Sequence, residues 1–252
     1  MDGRSERRRN GRRTGASCAF RLVEGLLRSR DRHLAWRLRR FPGDFRAACR
    51  TDDFHTTVLR GVPGHSTRSE LLRASVAASL SGGLYLEFGV FRGESLALIA
   101  GMLELRDPRA RLYGFDSFQG LTEAWNGGET GAFRVSDRPR APPNADLVVG
   151  PFQQTLVPFL AEHGEPVSFL HVDSDTYSSA AFVLSTLSEA NRLRQGAVIV
   201  FDEYANHRGW WNDGEFLAFQ QWVERRAVTF AYLGYLAGAG TVAVKLTAGS
   251  GA

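Results

Sequence analysis

The sequence predicts an α/β fold: a doubly wound, mostly parallel sheet that ends in an antiparallel hairpin. Three observations carry this. Beyond position 84, short apolar runs alternate with stretches of helical periodicity, the pattern of a sheet covered by helices on both faces. The last two apolar runs, 228–235 and 241–246, flank Ala237-Gly238-Ala239-Gly240, a turn composition suited to a hairpin. With 252 residues, 43% hydrophobic and 23% charged, the chain has an ordinary globular composition and enough length for one sizeable core.

The elements follow in order. Residues 1–15 read as a disordered basic tail, and 16–80 as a helical N-terminal cap or lid. Phe20, Leu22, Val23, Leu26 and Leu27 recur at helical spacing, a second short helix follows near 34–38, and a third runs over about 69–80. Ser81-Gly82-Gly83 stops that third helix. Parallel strands are expected at 84–89, 111–116, 146–149, 167–173 and 197–202, with helices at 94–105, 153–163, 177–191 and 213–226. Between 117 and 145 lies a long aperiodic connection with Trp125, Asn126-Gly127-Gly128, Gly131 and Pro139. A loop of that length reads as part of a substrate wall.

Charge is unevenly placed. Residues 1–50 hold fifteen arginines against five carboxylates, a net +10, which leaves −6 on the rest and +4 overall. Clustered arginine can neutralise phosphate, but the run Arg7-Arg8-Arg9-Asn10-Gly11-Arg12-Arg13 lacks aromatics for base stacking and no nucleic-acid-binding motif follows. It reads as a solvated tail, and nucleic acid is not an expected partner. No apolar stretch reaches the length of a membrane span, and the apolar run after the arginines is broken by Arg21 and Glu24, so the expected location is cytoplasmic with no membrane partner. Cys18 and Cys49 have no disulfide or zinc spacing and read as free thiols. The apolar stripe of the N-terminal segment makes a homo-oligomer plausible.

In such sheets ligands bind beyond the carboxyl ends of the strands, at the point where strand order reverses. The first strand ends in Glu87-Phe88-Gly89-Val90-Phe91-Arg92-Gly93-Glu94-Ser95, where Gly89 permits a tight turn and Gly93 lets the next helix start close by. The second ends in Asp116-Ser117, and an acidic residue there suits paired hydrogen bonds to ribose hydroxyls. Together they indicate an adenosine-type cofactor. The spacing E-x-G-x-x-x-G departs from the dinucleotide pattern and favours S-adenosylmethionine over NAD. Candidate cofactor contacts are Glu87, Gly89, Val90, Phe91, Gly93 and Ser95 on the first turn, Asp116 and Ser117 on the second, and also Phe152 and Asp173. Later strand ends supply Asp173-Ser174-Asp175 and Asp202-Glu203. Carboxylates crowded on one edge repel unless a cation or proton is shared, and their hard oxygens suit Mg2+, with Asp173, Asp202 and Glu203 as candidate ligands.

The strings Glu87–Ser95, Gly114–Leu121, His171–Ser179 and Val200–Tyr204 resemble the macrocin O-methyltransferase family of S-adenosylmethionine-dependent enzymes, over roughly residues 66–246. The resemblance implies a Rossmann-like, seven-stranded sheet, a methyltransferase domain over 81–252, a magnesium site, and acceptors that are often hydroxyls of deoxysugars on natural products. It would set Gly89 and Gly93 against the methionine part, Asp116 against the ribose, and Asp173, Asp202 and Glu203 on the metal. Macrolide-type members usually show Asp-Asp where this chain has Asp202-Glu203. The reaction expected is in-line methyl transfer to an alcohol whose proton leaves to Asp173 or Asp175, the two catalytic candidates. His207 is a lesser candidate base; Trp210 and Trp211 either stack on a sugar or pack a lid, and His171 reads as a core residue. A catechol or phenol acceptor is the alternative within the same chemistry, and a non-catalytic nucleic-acid-binding module the alternative outside it.

Overall fold

The computed structural model describes residues 42–248. The expectations for the basic tail, the two short helices and the apolar stripe of the first 41 residues lie outside these. Two compact units are present. The smaller holds, among the described residues, 42–61 and 205–209. Its helix α1 (Pro42–Thr57) buries Ala47 and Phe54, and Thr51 Oγ1 both donates to Ala47 O at 2.9 Å and accepts from Asn206 N at 3.1 Å. Cys49 is a free thiol.

The larger unit is an eight-stranded sheet with helices on it. In chain order its elements are β1 (Gly64–His65), α2 (Arg68–Ala78), β2 (Leu84–Phe88), α3 (Glu94–Arg106), β3 (Leu112–Asp116) and β4 (Ala145–Val149). Then come α4 (Phe152–Glu162), β5 (Val167–Val172), α5 (Tyr177–Glu189), β6 (Val198–Phe201), a 3-10 turn (Trp210–Asn212), α6 (Gly214–Arg226), β7 (Thr229–Leu236) and β8 (Val242–Ala248). The strand order is β1-β7-β8-β6-β5-β2-β3-β4. β8 runs antiparallel to both neighbours, and every other pairing is parallel. All seven expected strands are present. The eighth, β1, is two residues long, too short for hydrophobic periodicity to register, and it caps the edge of β7.

Every residue of β2, β5 and β6 is buried, so these strands show no alternating polar face; β6 is wholly apolar, and the apolar runs of β2 and β5 are broken only by the buried Glu87, Ser168 and His171. α2 starts with a capping box, in which Thr67 Oγ1 accepts from Glu70 N while the Glu70 carboxylate accepts from Thr67 N. At its other end Arg106 donates to the carbonyls of Val76 and Ser79, and Lys245 Nζ to Ala78 O at 2.9 Å, so cations satisfy its last carbonyls. Both ends of α2 are thereby fixed, and its first residue, Arg68, reaches the carboxyl ends of the strands. From β2 the chain winds through β3 and β4 to one side, then returns to β5 on the other, so the reversal point lies between β2 and β5. Among the described residues no helix is long and apolar enough to cross a membrane.

Candidate active site

At the reversal point the chain leaves β2 through Gly89, at φ +95°, and its amide donates to Phe115 O at 3.0 Å. A Cβ there would lie 1.8 Å from Asp173 O, so no other residue lets the ends of β2 and β5 approach this closely. Asp116, at the end of β3, then ties the turn down. Its Oδ2 accepts from Val90 N and Phe91 N, both at 2.8 Å, and its Oδ1 from Phe118 N at 2.7 Å. The carboxylate that the sequence assigns to a ribose thus also holds the glycine turn against the following loop.

A cleft opens here, lined on one side by Gly89, Phe91, Asp116, Ser117 and Phe152, and on the other by Asp173, Ser174, Asp175, Thr176 and Glu203. Of the expected cofactor residues, Gly89, Phe91, Asp116, Ser117, Phe152 and Asp173 line it. Glu87, Val90 and Ser95 are buried in the scaffold behind it, and Gly93 caps α3 with Pro139 packed where its side chain would be. Glu87 Oε1 meets His171 Nδ1 at 2.8 Å across the β2–β5 ladder, both side chains fully buried. Burial alone would lower the His171 pKa, but the hydrogen bond and charge of Glu87 turn the net shift upward.

The long connection after β3 supplies the outer wall, with Gly120, Leu121, Thr122, Trp125 and Phe133 on the cleft. Asn126 and Gly127 both have positive φ, and Trp125 and Gly128 exchange two backbone hydrogen bonds of 3.0 and 2.7 Å, a two-residue turn of the I′ kind that presents Trp125. Ser178 Oγ donates to Glu123 Oε1 at 2.6 Å and pins the connection to the start of α5. Phe133 sets its ring edge to face on Phe91, 5.8 Å between centroids. Trp210 instead packs edge-on against Phe216 in the interior, and neither it nor His207, buried in the smaller unit, is among the cleft residues.

The acidic wall is held from two directions that the local sequence did not signal. Arg68 Nη2 lies 2.7 Å from Asp173 Oδ2 and 3.1 Å from Asp202 Oδ1. Glu215, fully buried in the first turn of α6, accepts from Ser174 N at 3.2 Å on one oxygen and from Glu203 N at 3.0 Å on the other. One carboxylate therefore couples the loops after β5 and β6. Burial, then the charges of Asp173, Asp175 and Asp202, push the Glu215 pKa well above the carboxylate range. Asp173 is raised to about 6 by burial and by Asp202, with Arg68 opposing. Burial and the neighbouring aspartates raise Asp175 to about 7 and Glu203 to about 8. Asp175 also sits at φ +61°, a left-handed backbone unusual for a residue with a side chain, on the cleft surface.

These residues fit a divalent ion: most of the donors are hard oxygens, whose mutual repulsion one arginine only partly offsets. His171, Asp173 and Asp202 each bring a ligand atom within 4.8 Å of the others, and Glu203 stands on the adjoining cleft wall. They also fit an amphipathic adenosine-type cofactor. The cleft pairs aromatic surface with carboxylates, and Ser174 keeps a buried hydroxyl without a protein partner.

Residues 86–204 match a family model described as a methyltransferase domain. Among solved structures the chain resembles the calicheamicin methyltransferase CalS11, at 20% identity over 91% of each chain and a TM-score of 0.53. The apo form of CalS11, described as a TDP-rhamnose 3'-O-methyltransferase, aligns at 19% identity over 91% of this chain and 93% of that one, with a TM-score of 0.50. The O-methyltransferase NovP aligns at 20% identity over 71% of this chain and 79% of that one, with a TM-score of 0.56. No curated protein matches the chain. Residues 86–204 thus match a methyltransferase domain, and the fold of the chain resembles that of these O-methyltransferases.

Proposed function

We propose that the protein is an S-adenosylmethionine-dependent, Mg2+-dependent O-methyltransferase acting on a hydroxyl of a small molecule, a deoxysugar of a glycosylated natural product. The observation that carries this is the meeting, in one cleft at the reversal point, of the glycine turn at Gly89 with the carboxylates of Asp173, Asp175 and Glu203. When bound, the cofactor supplies an electrophilic methyl group, and a magnesium ion held by Asp173, Asp202 and Glu203 supplies charge that makes an alcohol more acidic. The chain does the rest. Gly89 faces the methionine part, Asp116 with Ser117 beside it meets the ribose, Phe91 and Phe152 offer the cofactor apolar faces, and the Trp125 wall shields the reacting atoms from water. Asp175, on the same cleft wall as Asp173 and Glu203, takes the acceptor's proton on a carboxylate oxygen. The sugar acceptor draws support from the resemblance to CalS11, described as a TDP-rhamnose 3'-O-methyltransferase. In the same reading 81–252 is the catalytic domain, 16–80 its cap and 1–15 a basic tail, with α2 of the cap region lending Arg68 to the site.

The test is calorimetric titration of the full chain with S-adenosylhomocysteine, with magnesium and with EDTA. An acceptor screen of nucleotide-linked deoxysugars, glycosylated scaffolds and catechols follows. Micromolar binding and magnesium-dependent turnover of a sugar hydroxyl are expected; no binding in either buffer removes the assignment, and turnover of catechols alone moves it to the phenolic class.

A further inference from the structure

We propose that Arg68 is a built-in counter-cation of the acidic cluster, competing with a divalent ion for Asp173 and Asp202 and thereby setting that site's affinity; this rests on the metal-dependent reading above. A single guanidinium nitrogen, Nη2, reaches Asp173 Oδ2 at 2.7 Å and Asp202 Oδ1 at 3.1 Å, so it bridges carboxylates from two adjacent strand ends. These oxygens belong to the two carboxylates that stand in the candidate metal cluster. The two cations cannot share them at such distances without strong repulsion, and an arginine cannot step aside by losing its proton.

The arginine's own hold is incomplete. Its Nε is buried without a hydrogen-bond partner, and neither carboxylate is gripped by the two-nitrogen fork that makes arginine–carboxylate pairs strong. Its side chain is 36% exposed, which leaves a path outward, while the capping box at Thr67 and Glu70 fixes the backbone beneath it. The cluster it guards has a further unused donor: the His171 ring is fully buried, its Nδ1 is taken by Glu87, and its Nε2 has no partner. Arg68 thus keeps the carboxylates paired and ordered when no metal is bound, and yields to the ion by swinging its side chain while α2 stays in place.

The test is binding of Mn2+ alone to the full-length protein, followed by electron paramagnetic resonance. Wild type is compared with Arg68→Met, Arg68→Gln and Arg68→Lys, with S-adenosylhomocysteine titration and circular dichroism reporting that each variant is folded. The neutral variants are expected to bind Mn2+ about tenfold or more tightly than wild type, because a positive charge has left the site. Lys, which keeps the charge, is expected to stay within about threefold of wild type. Adding Asp202→Asn to Arg68→Met should abolish the gain. Equal or weaker Mn2+ binding by folded Met and Gln variants would overturn the competition and leave Arg68 a structural partner only. If no form binds Mn2+ at millimolar concentration while S-adenosylhomocysteine still binds, it is the metal-dependent reading that fails, and the Arg68 proposal falls with it.

Discussion

Glu215 shows how a single side chain can set the geometry of a site it does not enter. Its two oxygens accept from the amides of Ser174 and Glu203, each beside a carboxylate of the acidic wall, and it has no exposure to solvent. Gln at this position keeps one acceptor but turns an amide N–H toward the other backbone N–H, so one loop is released. Ala releases both. We expect kcat to fall about tenfold in Glu215→Gln and about a hundredfold in Glu215→Ala, the scale on which a displacement near 1 Å acts. The Kd for S-adenosylhomocysteine should move less than threefold in both, and a large rise in it would assign Glu215 to the cofactor half instead. Gly89 is the opposite case, a residue that matters through what it lacks. Gly89→Ala puts a methyl group 1.8 Å from the Asp173 carbonyl and forces a positive φ on alanine, so cofactor binding should weaken more than tenfold and thermal stability should drop.

Among the elements, the connection between β3 and β4 contributes much of the cleft lining with little regular structure of its own. Its turn at Asn126-Gly127 and its anchor from Ser178 to Glu123 keep Trp125 on the cleft. Trp125→Ala is expected to raise the acceptor KM about tenfold, near the 1.4 kcal/mol that one lost aromatic face is worth, with cofactor affinity unchanged. Should the cofactor Kd rise instead while KM holds, the indole belongs to the nucleoside. The core beneath is less forgiving. Phe115 stacks on Phe88 with centroids 4.5 Å apart at the base of the site, and Phe115→Ala should cost about 3 to 5 kcal/mol in denaturant unfolding.

For the whole molecule, a strand order that reverses between β2 and β5 puts glycine turn, acidic wall and aromatic wall on one edge of the sheet. The chain's excess positive charge lies in its first fifth, away in sequence from every residue of that edge. Removing residues 1–15 should therefore leave S-adenosylhomocysteine affinity within about twofold, and the full chain should show no salt-dependent retention on DNA or RNA that the truncated chain lacks. Strong retention lost on truncation would give the arginine run a partner of its own.

Seven of the eight strands, the hairpin and the strand-end strings around Gly89, Asp116, Asp173 and Asp202 were legible in the sequence, because each is written in neighbouring residues: periodicity, a glycine at a sharp turn, acids after apolar runs. The sequence could not single out Arg68, which is one arginine among many and finds Asp173 across 105 positions, nor Glu215, which reads as an ordinary acid at a helix start and meets Ser174 across 41. Nor could it divide the work between Asp116's two possible duties, since the amides of Val90 and Phe91 that occupy it come from another strand. These roles emerge only in the folded chain. A charge or a hydrogen-bond acceptor takes its role from the groups that surround it in space, and only the folded sheet brings those groups within about 3 Å.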